Sequence, residues 1–132
     1  MCLNVSETDC FKSSVTNIEY KINHQLNCND KCLIYLLTCH KCKKQYVGKT
    51  CDRFRLRWKN YIDNDRKFLK GEICMQQHLF EHFSGDGHSN FLDDISITFI
   101  DKTDPKDPNR REHYWRHTLR TIAPDGHNIE DD

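Results

Sequence analysis

Eight cysteines and eight histidines among 132 residues make metal chemistry the first question this sequence raises. Cys39-His40-Lys41-Cys42 places two thiolates on one tight turn, where both can reach a single tetrahedral ion, the arrangement of a zinc knuckle. His82 and His88 could complete a Cys2His2 set, while His78 and His82, at i and i+4 of a helix, form a second possible pair. A rival all-cysteine set would join Cys28 and Cys32 to Cys39 and Cys42. Geometry opposes it: if residues 33–38 are a strand, Cys32 and Cys39 lie roughly 23 Å apart. A redox dithiol at Cys39 and Cys42 would want a thioredoxin-like βαβ setting, which the pattern lacks. Cys2, Cys10, Cys51 and Cys74 have no evident metal role.

The elements that must carry these residues follow from periodicity. Leu33-Ile34-Tyr35-Leu36-Leu37 reads as a buried strand, the dithiol turn reverses the chain, and Gln45-Tyr46-Val47-Gly48 returns as its hairpin partner. A helix is expected from about Asp52 as N-cap, with Phe54, Trp58, Tyr61 and Ile62 on one face and Arg55 and Arg57 flanking that stripe. A second helix over Glu72–Phe83 should end at Gly85-Asp86-Gly87. Ile95, Ile97 and Phe99 alternate with Ser96 and Thr98 as a third strand. A last helix should run from about Asn109 to just before Pro124, with Trp115, Thr118, Leu119 and Ile122 inward. The expected order is β-β-α-α-β-α: a small α+β domain with a three-stranded antiparallel sheet flanked by helices. Residues 1–30 are polar and irregular and read as a lead-in or linker with room for a short strand or helix at 15–22; residues 31–132 form the domain.

The zero net charge hides a segregation. Residues 41–70 hold 11 Lys+Arg against 3 Asp+Glu, a net of +8, and residues 85–132 hold 6 against 11, a net of −5. A basic segment suits a polyanion, and nearby carboxylates suit a divalent cation; two solvated faces that neutralise each other are the plainer reading. No apolar run approaches the roughly 18 residues of a membrane helix, and an N-terminus carrying Glu7 and Asp9 does not read as a signal peptide. An intracellular protein is the expectation.

Leu33-Ile34-Tyr35 and, eleven residues on, Tyr46-Val47-Gly48 resemble the paired motifs of the GIY-YIG nucleases, with Leu33 in place of the first glycine. The resemblance continues through a helix arginine, Glu112-x-x-Trp115 and Gly126-His127-Asn128, and covers about residues 32–128. The tripeptides alone are weak signals; five elements in order are strong. The endonuclease domain of Penelope-like retroelements is more similar still, since it carries a CxxC between the tyrosine motifs and a later His-Phe…Gly-His, here His82-Phe83 and Gly87-His88. That favours His82 and His88 as zinc ligands.

The resemblance implies a division of labour. Tyr35 would be general base on the attacking water, with Tyr46 positioning water or phosphate beside it. A phenol of ordinary pKa near 10 is a poor base at neutral pH, so a neighbouring cation, Lys49 by the family pattern, would favour its ionised form. A helix arginine would grip the scissile phosphate: Arg57 if Trp58 is kept in register, Arg55 by counting from the tyrosine. Glu112 would hold Mg²⁺ or Mn²⁺, and Asn128 would support the site. The histidine that many members carry a turn later falls at Asn60 or Tyr61. Lys41, Lys43, Lys44, Arg53 and Lys59 would contact DNA phosphates. Singly, each residue has a plainer reading: strand aromatics, a solvated helix flank, or a Glu112 that closes a capping box with Asn109.

Three functions compete. The first is a metal-dependent DNA endonuclease that opens a target for retroelement insertion, acting in the nucleus beside a reverse transcriptase of the same polyprotein. The second is a non-catalytic, zinc-stabilised nucleic-acid-binding module. The third is a structure-specific repair nuclease, for which a cysteine-rich second domain would be expected.

Overall fold

The structure is a computed structural model that describes residues 4–85 and 87–129; Asp86, within the expected helix-breaking turn, lies outside the described residues. Its centre is the strand predicted from the apolar run. In chain order the elements are β1 (Cys10–Lys12), β2 (Glu19–Lys21), β3 (Leu33–Cys39), β4 (Gln45–Thr50), α1 (Phe54–Leu69), α2 (Gln77–Phe83), α3 (Phe91–Asp94), β5 (Ile95–Lys102) and α4 (Pro108–Thr118). The main sheet is antiparallel in the order β4-β3-β5, so β3 is flanked on both sides, and five consecutive residues of it, Leu33 to Leu37, are buried. A strand buried on both faces has no polar face to alternate with, hence the continuous apolar run.

The pleat of β3 sorts the domain into two layers. Leu33, Tyr35, Leu37 and Cys39 pack with Phe54, Trp58 and Tyr61 of α1, Leu79, Phe80 and Phe83 of α2, and Phe91 of α3. Ile34 and Leu36 face the other way, with Val47, Ile100, Phe11, Trp115 of α4 and Leu119 just after it. Because paired residues of antiparallel strands share a face, Tyr35 with Gly48 and Leu37 with Tyr46 belong to the first layer, while Ile34 with Lys49 belongs to the second. The β3–β5 register slips between Ile34 and Tyr35, so Phe99 falls in the first layer and Asp101 opposite Ile34. There Asp101 accepts from Trp115 Nε1 (2.9 Å) and Arg111 Nε (2.7 Å), tying α4 to the sheet.

Several boundaries differ from the sequence expectation. Residues 4–30 are no linker. Asn4 and Ser6 exchange backbone hydrogen bonds with Ile97, and the β1–β2 hairpin sets Phe11 edge-on against Trp115, 5.1 Å between centroids. The carbonyls of Asp30 and Cys28 also take the N–H groups of Phe54 and Arg55, donors that α1 cannot satisfy internally. Arg53, not Asp52, is therefore the N-cap of α1 and makes no side-chain capping bond. Gly71, at φ 77°, closes α1 in a Schellman motif, with Glu72 N–H on the Lys67 carbonyl and Gly71 N–H on that of Phe68. The second helix consequently starts at Gln77 rather than Glu72. The last helix starts with Pro108 at its first turn and stops at Thr118, because Arg120 turns left-handed (φ 55°) and Thr121 N–H bonds the Arg116 carbonyl. Trp115 and Leu119 are buried as expected, whereas Ile122 lies past the helix end. The one-turn α3, capped by the Asn90 side chain on Asp93 N–H, was not anticipated.

Gly48 is a point of close packing beneath Tyr35. A Cβ there would sit 2.4–2.6 Å from the Tyr35 ring. Gly48→Ala should therefore cost about 1–3 kcal/mol through overpacking, read as a lower urea midpoint with an unchanged slope.

Candidate functional site

Tyr35 projects from the middle of β3 into the first layer and is fully buried. Its hydroxyl lies 2.8 Å from that of Tyr61 and accepts from Arg57 Nε at 3.2 Å. Arg57 also lies over the Tyr61 ring, 5.1 Å from the centroid. These contacts follow from helix spacing, since residues 57 and 61 are one turn apart on the flank of α1 that meets β3. Tyr46, half-buried on β4, joins through Gln76, whose Nε2 reaches the hydroxyls of both Tyr46 (3.3 Å) and Tyr61 (3.2 Å). Of the two candidate arginines, then, Arg57 touches the tyrosines, while Arg55 is exposed.

Burial dominates the electrostatics here. It pushes the Tyr35 phenol up to about 12, and the field of an ionised Tyr46 adds to that, against the opposing pull of Arg57 and the Tyr61 hydrogen bond. Tyr61 is driven well above its ordinary value, first by burial and then by the two neighbouring phenols. Burial works against the Arg57 charge, but the tyrosine oxygens outweigh it and keep the guanidinium cationic. The cation expected beside Tyr35 was Lys49; the structure corrects this. Lys49 is paired with Ile34, so its side chain leaves from the opposite face of the sheet, and Arg57 fills the place.

Asn128 contacts the backbone between the two motif residues Tyr46 and Gly48. Its Oδ1 accepts from Val47 N–H (2.8 Å) and Thr121 Oγ1 (2.6 Å), and its Nδ2 donates to the Val47 carbonyl (2.9 Å). The side chain thus acts as a further strand along the outer edge of β4 and holds the hairpin that carries both tyrosines. Glu112 lies on α4, 13% exposed and 3.4 Å from Arg116. α4 packs on the second layer, the face of the sheet opposite Tyr35 and Tyr61.

The metal expectation meets a compact donor set. Ligand atoms of Cys39, Cys42, His82 and His88 all lie within 4.8 Å of one another, with Cys42 Sγ 3.2 Å from His82 Nε2. The β3–β4 turn supplies the thiols: Cys39 N–H bonds the Lys44 carbonyl, and Lys43 takes a left-handed φ of 69°. The end of α2 and the loop after it supply the imidazoles. Burial and the neighbouring His88 and Lys44 hold His82 near 4, so its ring is neutral and its lone pair available. Two thiols and two imidazoles at this spacing could hold a metal such as zinc, whose bonds of about 2.0–2.3 Å would need only a small contraction. His78 is engaged elsewhere, its Nε2 on the His127 carbonyl at 2.9 Å. Cys28 and Cys32 stand apart from the cluster; Cys32 Sγ meets the Cys51 carbonyl instead.

Lys41, Lys43 and Lys44 are exposed on the dithiol turn, and Lys59 is exposed on α1. Arg53, also exposed, gives one Nη to the Asn29 carbonyl (2.7 Å). The sequence places Tyr61 on the apolar stripe of the first helix and at the position of a family histidine, with no sign of its contact to Tyr35, and Gln76 carries no sequence signal at all. It sits in an irregular turn just before α2, and its two partners lie on other elements.

Two outcomes check this site. Metal analysis should find one zinc per chain, with Cys42→Ala losing it and chelation lowering the melting temperature. Asn128→Ala, which strands both polar groups of buried Val47, should cost about 2–4 kcal/mol in urea unfolding without loss of zinc.

No family model, curated protein or solved structure matches the chain, so its function is argued from this geometry and from the order of its motifs.

Proposed function

We propose that this chain is a divalent-metal-dependent DNA endonuclease of the GIY-YIG type, with a structural zinc site pinning its hairpin. The observation that carries the reading is the Tyr35–Arg57–Tyr61 cluster, in which a buried strand phenol accepts a hydrogen bond from a half-buried guanidinium. A packed strand tyrosine needs a partner for its hydroxyl, but a neutral one suffices; here one partner is a cation. An arginine whose Nε is committed to the phenol keeps its Nη fork for a phosphate.

In this reading the scissile phosphate lies at the β4 edge, between the basic turn and the start of α1. Arg57 binds a non-bridging oxygen, Tyr46 orients the attacking water, and Tyr35 takes the proton. Tyr35 begins as a neutral phenol, so its own proton must first pass to solvent water, and Arg57 and the Tyr61 hydroxyl stabilise the phenolate that results. Glu112 would hold Mg²⁺ or Mn²⁺, which supplies charge relief on the phosphate and leaving oxygen. Lys41, Lys43, Lys44 and Lys59 give salt-dependent backbone affinity with little sequence reading. The likeness to Penelope-like elements extends the proposal to nicking of nuclear target DNA for insertion, beside a reverse transcriptase in the same polyprotein.

A second reading, the non-catalytic nucleic-acid-binding module, is favoured by one observation: Tyr35 is fully buried and held near 12. Supercoiled plasmid separates the two. With Mg²⁺ or Mn²⁺ the parent should nick, and Tyr35→Phe, Arg57→Ala and Glu112→Ala should each slow nicking about 100-fold or more while keeping zinc and fold. Nicking that survives Glu112→Ala removes that residue as the metal ligand. DNA binding without nicking by any folded form establishes the binding module.

A further inference from the structure

Gln76 holds an unusual place. It is a non-glycine residue in the left-handed region (φ 56°, ψ 37°), at the N-cap position of α2, yet its side chain makes no capping bond. The conformation is uncommon for a side chain of this type and persists only where the surroundings hold it. Asn64 of α1 does so from one side, its Oδ1 accepting from Met75 N–H at 3.0 Å, and Leu79 N–H on the Gln76 carbonyl does so from the other. What the conformation achieves is to aim one amide nitrogen at two hydroxyls on two different elements, Tyr46 on β4 and Tyr61 on α1.

A phenol that accepts a hydrogen bond still has one proton to give. If Gln76 Nε2 donates to Tyr61, the free direction of the Tyr61 proton is toward Tyr35, 2.8 Å away. Tyr35 then accepts from Tyr61 and from Arg57 Nε together. The charged and titratable groups that face Tyr35 are Tyr46 from β4 and Arg57 and Tyr61 from α1. Only the Tyr35–Tyr61 bond among these contacts can run in either direction. From this we propose that Gln76 is a positioning residue that sets the direction of the tyrosine hydrogen bonds, making Tyr35 the acceptor at the end of the chain and so favouring its phenolate. The use of that phenolate as a base rests on the nuclease reading; the direction of the bonds does not.

The test reads Tyr35 directly. Difluorotyrosine placed at position 35 is more acidic than tyrosine and brings its ionisation into the range where the fold holds, followed by fluorine NMR in the full chain with zinc bound. Gln76→Glu offers only acceptors to Tyr61 and should reverse the bond, raising the position-35 midpoint by about one pH unit or more, a tenfold loss of phenolate at a given pH. Gln76→Met fills similar space with no donor and should raise it by a smaller amount. A plasmid-nicking rate that falls in the same order would link the shift to chemistry, and a parent that never nicks would leave the titration result standing. An unchanged midpoint in both variants, with fold and zinc retained, overturns the proposal and makes Gln76 a packing residue. If Gln76→Glu does not fold, Gln76→Met alone decides by the same criterion.

Discussion

Burial of β3 on both faces is the constraint from which the rest of the domain follows. A strand sealed on two sides must send alternate residues into two separate cores, and here they differ in kind. The odd-numbered positions, Tyr35 and Cys39 among them, enter the layer built by α1, α2 and α3, while the even-numbered positions meet α4 and the opening hairpin. One strand thereby supplies a phenol and a thiol to the same layer, four residues and about 13 Å apart. Lys49, shifted by a single position on the partner strand, is excluded from that layer by the same pleat.

The tyrosine cluster and the metal cluster share more than a face. The β3–β4 hairpin carries Tyr35 and Tyr46 on its strands and Cys39 and Cys42 around its turn. Helix α2 begins just after Gln76, which contacts the tyrosines, and carries His82 near its end. A helix of seven residues is too short to be stable alone. Buried Leu79, Phe80 and Phe83 fasten it to the core, and a metal on His82 would fasten its far end to the hairpin. A bound ion would then act on the tyrosines through geometry alone, by limiting how far α2 can move from β4.

Tyr35 carries a conflict common to buried titratable groups. The packing that fixes it, with the Phe54 ring 5.0 Å away and Gly48 beneath its ring, also desolvates its phenolate. Arg57 is the one cation in the cluster that opposes this, and it is itself held beside two phenols. Such a cluster has little ionisation to offer until something relieves the cost, which is why the direction of its internal hydrogen bonds matters.

Much of this was legible in the sequence because it rests on local pattern. The apolar run of β3, the period of α1 and the CxxC turn are short-range signals, and each lies where periodicity and spacing put it. The order of the motifs was legible too, since it is a property of the chain itself. What only the tertiary structure decided are matters of side and of meeting. Arg57 rather than Arg55 reaches Tyr35 because α1 is rotated by its packing on the sheet, which no helical period records. His88 rather than His78 joins the thiols because the loop after α2 folds back while His78 bonds the His127 carbonyl. Residues 4–30 belong to the domain because α1 needs their carbonyls and Trp115 needs Phe11, contacts between segments far apart in sequence. Gln76 was invisible for the same reason: its two partners lie 30 and 15 residues away, and nothing in its own neighbourhood announces them.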